Sequence, residues 1–504
     1  PDMRIYGYIV RGYRKDTFEI RSYDRENHLL KVGRSSSAEF GGKLRSGWRD
    51  ADGQGIRMIV MNVPYELDAK GEYWLDRTTG ILYVFDPEGS YHIPMPHGER
   101  RLHGLRKYDT GDAGEASDTY CAIYAEDVGY ITFRGLHFTN NVDQFIMGYK
   151  TSYFEIDRCR FDCCSGRDMV LFEKSLPDVP LALHVTDSEF DLCVGRHVFV
   201  FDDAGTEERY TNRSEILVDN CLFARSNLKF DAEGSVNLHR CSGGMVSHNR
   251  FENCYRYAVM FTGSCDVIVE YNDFESAMTN SDDGGVTRGS DDVIGNNVVR
   301  YNFYNTTPRI GHYCDNGDCG TVMYSNLFYN GGSVVYGGSG RDNVLNYNVM
   351  IGQSVGSTVD SFATETEEDG ERVIIVEDSW LTDGLREQWV NIFGYCDTVP
   401  GYKEALLERR PGALDIILDN DQAEDPNFFL SPVNTFIGNL FINDGSEIKL
   451  NILGIAGDYC TVEGNMACSY DENPLFVNPT IGDYRIRDDV TDFPDIEFEK
   501  IGRY

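Results

Sequence analysis

The chain has 504 residues and a formal net charge of −36, because 82 Asp and Glu side chains outnumber 46 Lys and Arg side chains. Nucleic-acid affinity comes largely from Lys and Arg that neutralise phosphates, so this balance argues against a nucleic-acid partner, and the same field would repel uronate or sulfate polymers unless a local basic pocket offset it. The sequence contains no run of 18 apolar residues, so it predicts no membrane span.

Residues 1–110 are predicted to form a small antiparallel β-module. Segments such as YGYIVRGY, TFEIRSYD, RMIVMNV and GILYVFD are short apolar and aromatic runs joined by polar turns, which is the pattern of paired strands. The sequence opens Pro-Asp-Met without a charged and then apolar leader, so no signal peptide is visible in it. Localisation stays open between the cytoplasm and secretion with a signal segment outside this sequence.

Residues 111–362 repeat one short phrase, in which an aliphatic run is followed by polar residues and then by an anchor residue. Successive anchors lie 21 to 33 residues apart. A period in this range, with strands too short to be stable alone, is typical of a stacked solenoid. The predicted anchors are Phe138, Phe161, Phe190, Phe223, Phe251, Phe274, Phe303, Phe328 and Val349, with a further copy at Phe441.

The residue pattern within each phrase indicates the type of solenoid. Segments such as VIVEYNDF and VVRYNFY alternate or contain short β-branched runs without a 3.6-residue period, and Gly, Asn, Asp and Ser punctuate the turns. The frames of helical and leucine-rich repeats are absent, so the prediction is an all-β, right-handed parallel β-helix with three short strands per turn. The Asn of YND, YNF, SNL, YNV and GNL is predicted to form an internal ladder in which its side chain bonds the backbone.

Fourteen cysteines are present, and several fall inside or beside the repeats. A secreted disulfide framework is usually short and Cys-dense, so buried free thiols stacked between turns are the favoured interpretation, which suits a reducing or anaerobic setting. The pairs Cys163–Cys164 and Cys314–Cys319 stand apart from this pattern. No Cys/His set has zinc spacing, so no metal is predicted. The repeat cysteines are Cys159, Cys193, Cys221, Cys241, Cys254 and Cys265.

An interruption of the repeat, assigned to residues 363–430, separates the anchor at Val349 from that at Phe441. Its segment DSWLTDGLREQWVNIFGYCDTVPGYKEALLERRPGALDIILDN carries Leu, Trp and Ile at helical spacing and is broken by Pro400 and Pro411. Short helices packed against the stacked turns are therefore predicted. Residues 431–504 are predicted to supply the last one or two turns and an irregular C-terminal tail.

Three aspartates follow their anchors at comparable distances. They are Asp282, 8 residues after Phe274, Asp315, 12 residues after Phe303, and Asp360, 11 residues after Val349. Residues at a similar phase of successive turns are expected to project from one face. Turns stack ~4.8 Å apart, so carboxylates of adjacent turns are expected to approach within roughly 5–7 Å.

Asp282 and Asp315 are the predicted catalytic pair. Two acidic groups this close cannot both ionise cheaply, so one becomes a proton donor while the other stays ionised and faces a developing positive charge. Asp315 is preferred as the acid and Asp282 as the nucleophile or base. Asp283 is the rival to Asp282, because a shift of one residue sends a strand side chain to the other face.

Side chains near this pair are candidate substrate contacts. Arg288 follows the first Asp pair and is expected either to bind a sugar hydroxyl or carboxylate, or to form a salt bridge with Asp291 or Asp292. Strand alternation should direct one of His312 and Tyr313 outward and the other inward. The full set of predicted substrate-binding residues is Arg288, His312, Tyr313, Asp318, Tyr336 and Asp360.

The stretch SDDGGVTRGSDDVIGNNVVRYNFYN, followed by GHYCDNGDCGTVMYSNLFYNGG and GGSGRDNVLNYNVM, resembles β-helical glycoside hydrolases of families 141 and 120. The early segment NVPYELDAKGEYWLDRTTGILYVFDP and the tail segment NPLFVNPTIGDYRIRDD also resemble those proteins, so the resemblance covers nearly the whole chain. It implies a β-helix that hydrolyses a glycosidic bond. The twin carboxylate of those proteins is Asp315-Asn316 here, which draws attention to the nearby Asp318.

The resemblance also implies further strands upstream of the small β-module, as in split lacto-N-biosidase-like enzymes. A parallel β-helix exposes its apolar interior at each end, and solenoids need capping units to stay soluble. A separate N-terminal polypeptide that completes and caps the β-helix is therefore an expected partner.

Three functional classes remain open from the sequence. The leading one is a glycoside hydrolase that acts on an oligo- or polysaccharide with a pair of Asp carboxylates and no cofactor. The second is a polysaccharide lyase acting on a uronate polymer, since fold does not fix function; calcium bound by acidic residues would favour it. The third is a non-catalytic carbohydrate-binding solenoid.

Overall fold

The computed structural model describes residues 3–11, 14–33, 57–70, 72–76, 78–79, 81–85, 121–141, 143–175, 179–202, 213–228, 234–275, 285–290, 295–305, 310–329, 333–336, 340–352, 357–359, 363–368, 371–376, 380–409, 434–452, 460–472 and 474–504. The described residues up to 85 and those from 121 onward belong to two compact units. No helix within these ranges is long and apolar enough to cross a membrane.

The N-terminal unit is a small antiparallel β-structure, as predicted. Four strands form a sheet in the order β3-β2-β1-β4, and two more form a hairpin. Ile5 and Phe18 are direct cross-strand partners, and both are 1% exposed, so they form the centre of its small core. The strands are β1 (Arg4–Arg11), β2 (Arg14–Asp24), β3 (Leu29–Val32), β4 (Arg57–Met61), β5 (Tyr73–Asp76) and β6 (Ile81–Val84).

The second unit is a parallel β-helix, which confirms the predicted fold class. Its strands enter three 11-stranded parallel sheets in rotation, and each strand pairs with its equivalents one turn before and one turn after. We call these sheets 1, 2 and 3, beginning with the sheets of β7, β8 and β9. The first nine turns are β7 (Cys121–Glu126), β8 (Gly129–Arg134), β9 (His137–Asn141), β10 (Gln144–Tyr149), β11 (Ser152–Asp157), β12 (Arg160–Cys164), β13 (Asp168–Glu173), β14 (Ala182–Thr186), β15 (Glu189–Cys193), β16 (Arg196–Phe201), β17 (Glu215–Asp219), β18 (Leu222–Ala224), β19 (Gly234–His239), β20 (Ser242–Ser247), β21 (Arg250–Glu252), β22 (Tyr257–Thr262), β23 (Cys265–Glu270), β24 (Asp273–Glu275), β25 (Gly285–Ser290), β26 (Val298–Arg300), β27 (Phe303–Asn305), β28 (Ile310–Asp315), β29 (Val322–Tyr324), β30 (Leu327–Tyr329), β31 (Ser333–Tyr336), β32 (Val344–Asn346) and β33 (Val349–Ile351).

The chain leaves the solenoid after the next strand of sheet 1 and then returns. A hairpin and two helices intervene, which confirms the predicted helical insertion, and Pro400 lies in the turn between the helices. Arg409 on the second helix forms an ion pair of 2.5 Å with Asp266 on β23, so this helix is tied to the solenoid. The elements are β34 (Ser357–Val359), β35 (Ala363–Glu368), β36 (Glu371–Val376), α1 (Trp380–Thr398), α2 (Tyr402–Arg409), β37 (Thr435–Ile437), β38 (Leu440–Ile442), β39 (Leu450–Ile452), β40 (Thr461–Glu463), β41 (Met466–Cys468), β42 (Phe476–Asn478) and β43 (Asp483–Ile486).

A stack of aromatic rings runs through the core beneath sheet 3. Neighbouring rings are stacked with centroids 4.5–5.1 Å apart, close to the spacing of the turns. The predicted anchors from Phe138 to Phe328 enter this stack, except that Tyr304 takes the place of Phe303. Beyond Phe328 the same register row continues with Met350, in place of the predicted Val349, and with Phe441. The stacked residues are Phe138, Phe161, Phe190, Phe223, Phe251, Phe274, Tyr304 and Phe328.

Phe303 and Val349 do not belong to the inward row, because strand alternation places each of them one position before the inward residue. Phe303 pairs with Asp273, whose side chain lies on the outer face of sheet 3. The ring of Phe303 instead packs against Tyr484 and Phe498 of the C-terminal tail, with centroids 5.7 and 5.5 Å away. The tail thus covers part of the outer face of sheet 3 and is not merely irregular.

An asparagine ladder occupies the corner between sheets 2 and 3, which confirms the prediction. Each side-chain amide donates to Oδ1 of the next asparagine at 2.9–3.1 Å, and each backbone N–H donates to the same oxygen. Before each rung stands a residue with positive φ, such as Tyr301 at 54°, which turns the chain sharply. The rungs are Asn249, Asn272, Asn302, Asn326, Asn348, Asn439 and Asn465.

All fourteen cysteines have free thiols. The six repeat cysteines are at most 2% exposed, so the prediction of buried free thiols is confirmed. Neither Cys163–Cys164 nor Cys314–Cys319 forms a disulfide. Small apolar side chains of this kind fill the narrow corners of the core.

Candidate functional site

Several of the predicted site residues lie on β25 and β28, two adjacent strands of sheet 1. The register pairs Arg288 with Tyr313, and Asp315 is the last residue of β28. Alternation along β28 directs His312 into the core, where it is fully buried, and leaves Tyr313 and Asp315 partly exposed. The prediction that His312 and Tyr313 point to opposite faces is therefore confirmed.

Arg288 and Asp315 form an ion pair across these two turns. Nε of Arg288 donates to Oδ2 of Asp315 at 2.9 Å, and a second guanidinium nitrogen lies 2.8 Å from the same oxygen. The Arg288 side chain is 10% exposed and the Asp315 side chain is 16% exposed. This partner is neither of the alternatives predicted for Arg288. Contact with a sugar stays a prediction, and Asp291 and Asp292 lie outside the described residues.

The guanidinium of Arg288 is held on a second side by the preceding turn. One of its terminal nitrogens lies 3.8 Å from the sulfur of Met260, and its carbon lies 5.5 Å from the ring centre of Tyr257. A cation over an aromatic face is attracted by the ring electrons, and packing of the stem restricts the rotamers of the arginine. Arg288 is therefore a fixed donor, and it orients the carboxylate of Asp315.

Asp282 and Asp283 lie outside the described residues, so the structure does not place their side chains. Strand β25 begins at Gly285, which pairs with Ile310, whereas Asp315 lies at the opposite end of β28. Because both aspartates precede Gly285 in the sequence, the register gives no support to the equal phase that was predicted to bring them beside Asp315.

Asp360 and the side chain of Tyr336 also lie outside the described residues. The backbone of Tyr336 pairs with Cys314 on one side and with Val359 on the other. Asp315 directly follows Cys314 in the sequence, and Asp360 directly follows Val359. Cys314, Tyr336 and Val359 thus form one register row. Of the other predicted aspartates, Asp360 is the one that, like Asp315, directly follows a residue of this row.

His312 and Asp318 do not reach the outer face, which corrects their assignment to substrate contact. Both are 0% exposed. Burial lowers the pKa of His312 to about 3, so the ring is neutral in the core. Asp318 accepts a hydrogen bond from the hydroxyl of Thr321 at 2.8 Å. The alternation of β28 and the turn that follows it place both residues on the interior side.

A second group of carboxylates, which the sequence analysis missed, lies on the outer face of sheet 3. Arg250 contacts Glu252 at 2.5 Å, Asp273 at 3.0 Å, and Glu275. Burial raises the pKa of Asp273; the charge of Arg250 opposes this shift, and the charges of Glu275 and Glu252 add to it. The signal in the sequence is the pair of phrases RFE and DFE, in which an inward Phe is flanked by outward charges.

A cavity of about 270 Å³ opens on the same face of sheet 3. Its volume lies just below the ~300–1,000 Å³ that is usual for ligand pockets. Arginine and carboxylate side chains line the cavity. Among them, Nε of Arg225 donates a hydrogen bond to Asp191 at 2.8 Å. Its charged lining residues are Arg160, Glu189, Asp191, Arg225 and Glu252.

The carboxyl groups on sheet 1 and on sheet 3 differ in the chemistry that they can perform. On sheet 1, Oδ2 of Asp315 accepts a hydrogen bond from Nε of Arg288 and lies 2.8 Å from a second guanidinium nitrogen, so the carboxylate is held in a fixed orientation. On sheet 3, Asp273 is the carboxyl group that holds a proton more readily than usual. No protein-family model, no curated protein and no solved structure matches this chain.

Proposed function

We propose that this protein is a glycoside hydrolase that cleaves a glycosidic bond in an oligo- or polysaccharide, with Asp315 as one of two catalytic carboxylates. The observation that carries the proposal is the contact between Arg288 and Asp315. A largely buried arginine fixes a partly exposed carboxylate on the outer side of sheet 1. Fixed orientation of a charged group is what stabilises a developing charge most effectively, because no reorganisation is needed during the reaction.

Within this proposal, Asp315 is the nucleophile or base, not the acid preferred from the sequence. Its Oδ2 accepts a hydrogen bond from Nε of Arg288 and lies 2.8 Å from a second nitrogen of the same cation, and a carboxylate held in this way suits the role that faces an oxocarbenium-like transition state. The proton donor is then a second aspartate from the flanking segments. The candidates are Asp282, Asp283 and Asp360.

Tyr313 supports a saccharide as the substrate. It is paired with Arg288 in the register, lies between His312 and Cys314 of the interior row, and remains partly exposed on the outer side. An aromatic side chain next to a fixed carboxylate offers an apolar face on which a pyranose ring can stack.

The two alternative functions are less well supported by the described residues. A lyase that acts on a uronate needs a cation to neutralise the substrate carboxylate, and Arg288 already binds Asp315. The net charge of −36 also opposes a polyanionic substrate. A non-catalytic carbohydrate-binding solenoid would gain little from a buried arginine that orients a carboxylate.

The test is a screen of aryl glycosides and neutral oligosaccharides with the intact chain, followed by Asp315→Asn. We expect measurable release of reducing ends, and a fall of about 10²–10⁴ in kcat for the variant. The matched control is Asp273→Asn, the same chemical change on sheet 3, which should keep activity. Loss of activity in Asp273→Asn with full activity in Asp315→Asn would move the site to sheet 3.

The same samples separate the alternative functions. Both a hydrolase and a lyase create a new reducing end. Only a lyase also creates an unsaturated uronate, which absorbs in the ultraviolet. A binding module retains glycans in affinity electrophoresis without turning them over. Parallel assays of Asp282→Asn, Asp283→Asn and Asp360→Asn identify the second carboxylate, and full activity in all three contradicts a two-carboxylate mechanism built from these residues.

A further inference from the structure

We propose that His312, Cys314 and Asp318 form a structural binding site for a divalent metal ion of the zinc type inside the β-helix. This site is separate from the proposed catalytic carboxylate, since all three side chains face the interior. It does not depend on the glycoside hydrolase proposal. It also revises the expectation from the sequence that the chain holds no metal.

The geometry of β28 and its following turn brings the three donor groups together. His312 and Cys314 are two residues apart on one strand, so both point into the core. One ligand atom from each of the three residues lies within 4.8 Å of the other two, and all three residues are 0% exposed. Donor atoms at such separations can surround a single ion with small rotamer changes.

The turn holds Asp318 in this position through its backbone and its side chain. The N–H of Asp318 donates to the carbonyl of Asp315 at 3.1 Å, and Asn316 and Gly317 adopt positive φ values of 48° and 77°. The hydroxyl of Thr321 donates to Oδ2 at 2.8 Å. These bonds fix the position of the carboxylate beside Cys314.

The buried ring of His312 has one nitrogen that is hydrogen-bonded and one that is available to a metal ion. Nδ1 of His312 is 2.7 Å from the hydroxyl of Thr287, which in turn lies 2.9 Å from the hydroxyl of Tyr304. The other ring nitrogen, Nε2, is buried and has no hydrogen-bond partner. A histidine that ligates a metal usually has its other nitrogen hydrogen-bonded in this way, which fixes the tautomer and the ring orientation.

Gly289 provides the space that Asp318 occupies. It pairs with Cys314 in the register. A Cβ atom at Gly289 would lie 2.7 Å from Oδ1 of Asp318 and 2.6 Å from the ring of Phe261. A side chain at this position would therefore displace the carboxylate, and glycine is the residue that lets the three donors converge.

The donor set suits zinc better than a hard cation. Zinc takes nitrogen, thiolate and carboxylate ligands, and calcium and magnesium take oxygen. Burial raises the pKa of the Cys314 thiol, and the charge of Asp318 raises it further, so the thiol keeps its proton in the absence of a metal. A divalent ion would release that proton and balance the charges of one thiolate and one carboxylate, as metals do at buried thiols.

The test measures metal in the full chain, both as purified and after refolding with zinc following unfolding in denaturant and chelator. Refolding is included because a site buried in the core loads during folding. We expect one zinc per chain that resists dialysis against chelator, with X-ray absorption showing one sulfur at ~2.3 Å and nitrogen or oxygen ligands at ~2.0 Å. Cobalt in place of zinc should give a thiolate charge-transfer band.

Two pairs of variants distinguish the site from general effects on the core. His312→Gln and Cys314→Ser should lose the metal, whereas His197→Gln and Cys193→Ser should keep it. His197 is an equally buried core histidine with a hydroxyl partner on Nδ1 and no partner on Nε2, and Cys193 is an equally buried thiol. Cobalt spectra of folded Cys314→Ser provide a readout that does not depend on stability.

Several outcomes would overturn the proposal. Zinc well below one per chain in both preparations would show that the three groups interact without a metal. Retention of the metal in all four variants would place it elsewhere. A cobalt complex without a thiolate band would exclude Cys314 as a ligand.

Discussion

The side-chain amide of Asn302 donates to Oδ1 of Asn326 in the next turn at 3.0 Å, and the backbone N–H of Asn302 donates to the same oxygen at 3.1 Å. Both residues are 0% exposed. One oxygen thus satisfies two buried donors at a corner where the strand ladders of sheets 2 and 3 are interrupted. The ladder therefore supplies the hydrogen bonds that the sharp turn at each corner removes from the sheets.

We expect Asn326→Ala to destabilise the β-helix by about 3 kcal/mol or more, because it removes an acceptor from two buried donors of Asn302 and breaks the bonds of Asn326 to its neighbours. Asn465→Ala is the matched control at the last rung, where the side chain is only partly buried and water can replace the bonds. Its expected cost is about 1 kcal/mol. Urea unfolding followed by circular dichroism measures both, and equal costs would contradict the role assigned to the ladder.

The ladder and the fold were predictable because their signals repeat. Each Asn stands two residues before an inward residue, which is aromatic in most turns, so several copies reinforce one interpretation. The anchor of this turn was assigned to Phe303, whereas Tyr304 is the inward residue. Both are aromatic and adjacent, and composition does not show which of them faces inward. The structure decides this through the pairing of Tyr304 with Phe274.

The candidate site was less predictable because the segments that join sheet 3 to sheet 1 differ in length. Nine residues separate β24 from β25, but four separate β27 from β28. Counting from an anchor therefore does not preserve the phase on sheet 1, and Asp282 and Asp315 fall at different positions relative to their strands. The contact between Arg288 and Asp315 follows from the register of β25 and β28, which no residue count gives.

We expect Phe303→Ala to loosen the C-terminal tail while leaving the core stack intact. The Phe303 ring packs on Tyr484 and Phe498, whereas Phe274 stacks inside the core on Phe251 and Tyr304. Phe274→Ala should therefore cost about 3–5 kcal/mol, as buried aromatic truncations do, and Phe303→Ala should cost less. Limited proteolysis should show faster cleavage after β43 in Phe303→Ala only. Faster cleavage in neither variant would contradict the packing of the tail on Phe303.

Arg288 and Asp315 should be strongly coupled in stability as well as in activity. Arg288→Met leaves a partly buried carboxylate without its cation, for which we expect a cost of about 3 kcal/mol. Arg288→Met combined with Asp315→Asn should cost less than the sum of the single changes, because no charge is then left alone. A double-mutant cycle by chemical denaturation measures the coupling. The pair Arg485 and Asp483, whose arginine is 58% exposed, is the matched control and should show no measurable coupling, because water screens the two charges. Additive costs at Arg288 and Asp315 would mean that the contact does not fix the carboxylate.

His197 should make the stability of the β-helix depend on pH. Burial lowers the pKa of His197 from its ordinary value of 6.5 to about 3, although the charge of Asp191 opposes this shift. The unfolded chain therefore takes up a proton that the folded chain refuses, so stability is lost as pH falls from about 6.5 towards about 3. The slope from one such group is at most ~1.4 kcal/mol per pH unit.

The measurement compares urea unfolding of the wild type and His197→Gln at several pH values between about 6.5 and about 4. The variant should be less stable at neutral pH, because the bond to Ser235 and the packing between Phe190 and Phe223 are changed. Its stability should nevertheless fall less steeply with acid, because one proton fewer is taken up on unfolding. His184→Gln, on an exposed side chain of β14, is the control and should keep the slope of the wild type. An unchanged slope in His197→Gln would show that this histidine is already protonated in the folded core, and that its burial does not exclude the charged form.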